Sequence, residues 1–145
     1  MAILTNRAAD SRDRGIDTAL LILRLVLGIL ILLHGISKLP PPPTPIAGML
    51  AQANLPPVLA YGVYLGEIVA PILLIIGVWT RLAAIVIVIN MVVAVLVAHA
   101  GELFTLAPQG GYALELQAMF LFVAIALAFT GAGRLSVGGR YGPLN

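Results

Sequence analysis

Six side chains can hold or exchange a proton while standing in or beside long apolar runs: His34, Lys38, Glu67, His99, Glu102 and Glu115. Ionisable groups inside such runs are costly and are functional candidates by default. His34 and Lys38 have the i,i+4 spacing of helix neighbours. Together with Arg24 they fall within a helical arc of about 80°. Glu67 lies deep in a second apolar run, with Pro71 one turn later. Proline has no N–H to offer the Glu67 carbonyl, so a bend and a free oxygen are expected there. His99 and Glu102 share the next run's end, and Glu115 and Gln117 open the last one. The chain has no other glutamate, and its single lysine can neutralise only one of the three. The remaining carboxylates need a proton or a histidine. Such a cluster can relay protons or hold a polar head group. For Glu67 the expected partner is His34 or Lys38, with His34 nearer in depth and His99 next.

Several of these residues also have structural roles open to them. Arg24 and Arg81 suit interface anchors whose heads reach back to water. Glu102 and Glu115 sit where a charge costs little, and a carboxylate in a helix's first turn suits the dipole. Asn90 can tie two helices together. The histidines and carboxylates match no strong metal-ligand spacing, so no metal is expected. With no cysteine, thiolate catalysis and cysteine-held clusters are excluded.

The elements that carry these groups follow from composition. Of 145 residues, 61% are apolar and only 10% charged, and the mean hydropathy is +1.07. A soluble domain has about a quarter of its residues charged. Disorder and nucleic-acid binding both need far more charge. The chain therefore reads as one integral membrane domain over residues 1–145, with the lipid bilayer as its first partner.

A spanning helix needs about 20 apolar residues. Four stretches qualify, at about 18–39, 58–79, 82–100 and 112–130. Backbone groups in lipid must be satisfied within the segment, which favours helices. The runs lack the alternation of a membrane barrel. The expected fold is all-α: an antiparallel bundle of four transmembrane helices. Gly28, Gly66, Gly77, Ala94 and Ala124 are expected at the contacts, and Ile75 toward lipid. A mixed-charge N-terminal tail and no small-residue cleavage site after the first run mark it as a retained span.

Seven arginines precede the first span, open it, fill the 80–81 turn or follow the last span, whereas Lys38 alone lies on the other side. That asymmetry places both termini in the cytoplasm. The outer loop, residues 40–57, opens with a proline run that should be stiff and extended. Behind it Ile46, Met49, Leu50 and Ala53 recur at helical spacing, which predicts a short amphipathic helix on the outer surface. The outer loop 101–111 is glycine-rich.

The two halves are faintly alike. His34-Gly35 and His99-Ala100-Gly101 close the first and third runs; Gly66-Glu67 and Leu114-Glu115 lie in the second and at the start of the fourth; Thr80-Arg81-Leu82 and Gly133-Arg134-Leu135 follow them. This suggests a parallel repeat. In the same places, Leu23-Arg24-Leu25-Val26-Leu27-Gly28, His34-Gly35-Ile36-Ser37-Lys38-Leu39, Gly66-Glu67, Gly77-Val78-Trp79-Thr80-Arg81, Asn90-Met91, Ala98-His99, Glu115 and Gly131-Ala132-Gly133-Arg134-Leu135-Ser136 appear in an order that resembles the DoxX family. The family's closing glycine-proline-glycine-arginine has Ala132 in place of its proline here.

The resemblance implies a four-helix bacterial inner-membrane protein linked to membrane oxidoreductase complexes. Three functions are then open. A quinone-interacting subunit would use His34, Lys38, Glu67 and His99 around an apolar slot, with Met91, Met119 and Phe122 as walls. No side chain here carries electrons, so no cofactor is expected on this chain, quinone would be a substrate, and a redox role needs a soluble or membrane oxidoreductase partner. A non-catalytic anchor or assembly subunit is the second. A small proton or solute carrier is the third, and with four helices it would need a homo-oligomer.

Overall fold

The computed structural model describes residues 2–39 and 44–145. The expected stiff proline run, residues 40–43, lies outside the described residues. The helices are α1 (Ala2–Ser37), the short α2 (Thr44–Gln52), α3 (Pro57–Ile76), α4 (Thr80–Ala98) and α5 (Glu115–Thr130). No strand occurs among the described residues; the 106–112 loop holds one isolated bridge between Leu106 and Tyr112. The long β-branched run of α4, which would favour a strand in water, is helical, as a backbone that must satisfy its own hydrogen bonds in lipid requires.

Three of these helices, α1, α3 and α4, are long and apolar enough to cross a membrane, and α5 is a shorter apolar helix of 16 residues. α1 packs on α3, α3 on α4, α4 on α5, and α5 returns to α1. The core between them is built from Leu27 and Ile31, Ala70 and Leu74, Ala84 and Ile87, and Ala124 and Leu127, a pair from each helix in turn. The outward faces are as apolar as the core. Leu96 is 61% exposed and Phe129 78%. A helix that is hydrophobic all round belongs in lipid. α2, between α1 and α3, buries Leu50 and leaves Met49 exposed.

Small residues set the helix spacings. Gly28 lies against the Pro71 carbonyl and Ile75, and Gly66 against the Asn90 side chain. Ile75, expected toward lipid, is half-buried instead, because the missing side chain of Gly28 makes a notch that it fills.

The end of the bundle opposite Lys38 is closed by backbone capping. A helix leaves its last carbonyls without partners. At the end of α3 each one is met. The Leu73 carbonyl accepts from the Gly77 and Val78 N–H groups, and the Ile76 carbonyl from Val137 N–H. Arg24 supplies the rest: its Nε donates to the Leu74 carbonyl at 3.0 Å and its Nη2 to the Ile75 carbonyl at 3.3 Å. Its Nη1 reaches on to the carbonyls of Ala132 and Leu135, at 2.5 and 3.2 Å, in the segment after α5. Arg24 is 1% exposed. It is a buried clasp rather than the snorkelling anchor that its place in the sequence suggested. Four backbone carbonyls and the negative end of α3 receive the charge. Gly77, at φ +77°, permits the turn and leaves room for the guanidinium.

Asn145 completes this end. Its side chain accepts from Thr80 N–H at 3.0 Å and donates to the carbonyls of Gly77 and Gly139. It thereby caps the start of α4, where N–H groups lack partners.

Candidate functional site

The opposite end of α3 is irregular. The helix enters through a 3-10 turn at Pro57–Tyr61 and widens to a π-helical turn at Leu65–Val69, with Ala70 N–H bonding to the Leu65 carbonyl. Pro71 sits just beyond, so the expected disturbance is a wide turn before the proline. Such turns re-aim one side chain relative to the regular helix. Glu67 lies in the middle of it and is 4% exposed. Its carbonyl, which Pro71 cannot serve, packs against Gly35 of α1.

Lys38, just after α1, reaches down to this carboxylate. Its Nζ stands 2.5 Å from both Oε1 and Oε2. The lysine side chain is 35% exposed and the glutamate's 5%. From α4, Asn90 Nδ2 donates to Oε1 at 3.4 Å. Tyr64 O–H donates to the Lys38 carbonyl at 3.3 Å, and the Tyr61 and Tyr64 rings meet edge-on at 6.3 Å. The site is thus a buried carboxylate held by an ammonium and an amide, with the lysine as its more exposed member. Chemically it can hold a proton or pass hydrogen bonds to a polar group arriving beside Lys38. In the low dielectric of the bundle, removal of either charge would leave the other uncompensated.

The other expected site residues are placed elsewhere. His34 bonds through Nδ1 to the Leu30 carbonyl at 2.8 Å, and its ring stands edge-on to Phe120 at 5.8 Å. It contributes to the α1–α5 contact, and the partner of Glu67 is Lys38. His99 and Glu102 pair with each other at 3.3 Å, partly exposed, in the turn after α4. Glu115 is exposed in the first turn of α5, close to Gly111. Among the described residues no group of three or more His, Asp or Glu converges as a metal site would require.

The family model DoxX matches residues 19–100. The chain belongs to the DoxX family. The matched stretch carries Arg24, Lys38, Glu67 and Asn90, and ends before Glu115 and the segment that Arg24 clasps. An uncharacterized protein of Haemophilus influenzae is 32% identical over 122 residues, which cover 82% of this chain and 87% of that protein. No solved structure matches the chain. Family membership and the apolar helices make this a multi-pass integral membrane protein.

Three positions of this DoxX-family chain were poorly marked in the sequence. Asn90 reads as helix glue, and only the packing of Gly66 against it brings its amide to Glu67. The clasp by Arg24 was signalled only by its depth, six residues beyond Thr18 in an otherwise apolar run. Nothing in the sequence marks Asn145 as a cap.

Proposed function

We propose that this chain is an inner-membrane subunit of a redox-linked complex, which takes a quinone head group at Lys38 and Glu67. In this reading all four apolar helices cross the bilayer, antiparallel to their neighbours, with both termini in the cytoplasm and Lys38 toward the outer side. The observation that carries it is the buried Glu67 carboxylate, held by a lysine that is itself one-third exposed. A quinone oxygen accepts hydrogen bonds and takes up protons on reduction. Lys38 is the donor within its reach, Glu67 the adjoining proton carrier, and Tyr64, bonded to the Lys38 carbonyl, offers an aromatic ring beside them. Electrons come from a partner oxidoreductase, because no side chain here carries them.

The test is binding of a short-tailed benzoquinone to the purified protein in nanodiscs. Lys38→Met should weaken binding about tenfold, the loss of one charge-assisted hydrogen bond. Glu67→Gln should fold and bind yet abolish quinone-dependent turnover in membranes that contain the partner. Equal affinity in wild type and Lys38→Met overturns the reading. A second reading is a non-catalytic anchor, favoured by the way Lys38 and Asn90 already occupy the Glu67 carboxylate. Stable co-purification of an oxidoreductase, with turnover indifferent to Glu67→Gln, would select it.

A further inference from the structure

The bundle's opposite end holds a cavity that the quinone reading does not use. It measures about 190 Å³ and is lined by Asp13, Ile16, Asp17 and Leu20 of α1, by Thr130 at the end of α5, and by Gly133 and Arg140 beyond it. The four α1 residues have the spacing of one helix face. Below the cavity both helices continue as apolar runs; above it the charged residues begin. In a membrane protein that level is the boundary between acyl chains and head groups.

The charges here are ordered. Arg134 is engaged: its N–H donates to Asp17 Oδ1 at 2.9 Å, its Nη2 to Asp13 Oδ2 at 3.0 Å, and its Nε lies 3.6 Å from Asp17 Oδ2. Thr130 O–H is spent on the Ala126 carbonyl. Arg140 is not engaged in the same way. Its Nη1 stands 4.0 Å from Asp13 Oδ2, beyond hydrogen-bond range, and among the described residues its guanidinium makes no hydrogen bond. Asp13 is 42% exposed and Arg140 47%. The cavity therefore presents one acceptor carboxylate and one under-used guanidinium side by side, above an apolar wall of Ile16 and Leu20. Asp13 and Asp17 balance Arg134 and Arg140, so the site has no net charge.

We infer that this cavity binds the head group of an aminophospholipid, with the phosphate on Arg140 and the primary ammonium on Asp13. A guanidinium matches phosphate oxygens with paired N–H donors. A primary ammonium gives Asp13 up to three N–H donors, whereas a quaternary ammonium gives none. A neutral site favours a zwitterion over a lipid with net negative charge. The acyl chains would descend past Ile16 and Leu20.

Native mass spectrometry of the full chain in detergent tests this. Phosphatidylethanolamine, phosphatidylglycerol and phosphatidylcholine of matched chains would be added singly. Phosphatidylethanolamine should be retained about tenfold better than phosphatidylcholine. Asp13→Asn should erase that preference, and Arg140→Gln should lower retention of all three. Arg12→Gln, an exposed change outside the cavity lining, should alter nothing. Because Asp13 also holds Arg134, melting temperatures of each variant are measured alongside. If Asp13→Asn unfolds, Arg140→Gln decides alone. Equal retention of the three lipids by wild type overturns the proposal. So does binding of soluble phosphoethanolamine as tight as that of the lipid, which would assign the cavity to a free metabolite.

Discussion

Gly35 of α1 lies against the backbone carbonyl of Glu67, so close that a Cβ on Gly35 would collide with it. The contact joins the two features that make the site. Pro71 deprives that carbonyl of its usual donor, and the glycine lets α1 come near enough to cover it. The same approach brings Lys38, three residues on, over the Glu67 carboxylate.

Gly35→Ala is therefore expected to push α1 and α3 apart. The clash is with backbone, which cannot rotate away, so a loss of about 1–3 kcal/mol is expected. Gly48→Ala in α2 is the control, since nothing lies within 4 Å of the added methyl. Thermal unfolding in detergent should show a lower midpoint for the first only.

Lys38 and Glu67 should be coupled energetically. Lys38→Met leaves a carboxylate without its cation in an apolar bundle and should be the more harmful single change. Adding Glu67→Gln to it should recover stability, because the buried charge is removed along with its partner. A double-mutant cycle by chemical unfolding should give a coupling of about 1 kcal/mol or more. Additive effects would show that the two do not interact.

Arg24→Lys should not be tolerated as a conservative change. A lysine has three donors on a compact head and cannot bridge the Leu74 and Ile75 carbonyls to those of Ala132 and Leu135. At least about 2 kcal/mol should be lost, and protease should cut the segment after α5 much faster. Arg12→Lys, on an exposed position, should leave both measurements alone.

Thr80 offers the opposite outcome. Its hydroxyl is fully buried and has no hydrogen-bond partner among the described residues. Thr80→Val keeps the shape and removes an unsatisfied group, so stability should hold or rise. A lower melting temperature would mean that the hydroxyl is engaged after all.

Topology is open to cysteine labelling, because the chain has no cysteine of its own. Gln52 and Val137 are exposed, at the last residue of α2 and beyond α5 respectively. With four spans and cytoplasmic termini, an impermeant reagent on intact cells should label Gln52→Cys and spare Val137→Cys. The reverse pattern would invert the orientation.

The sequence by itself determined that the protein lives in a membrane and is helical. Both follow from local properties: run length, scarcity of charge, and the need of backbone groups in lipid for partners within their own segment. It also singled out Glu67 and Lys38, because a charge in an apolar run is visible without knowing what it touches. The tertiary structure decided which groups meet. His34 and Lys38 share a face of the first run, and depth alone favoured His34 as the partner of Glu67. The π-helical turn and the Gly35 contact instead put Lys38 over the carboxylate and leave His34 on Phe120. Arg24 looked like an interface anchor because a sequence does not reveal backbone carbonyls turned inward. Its four acceptors come from residues 74 and 75 and from 132 and 135. Only the folded chain brings those two stretches together, and there a buried cation is satisfied without any carboxylate.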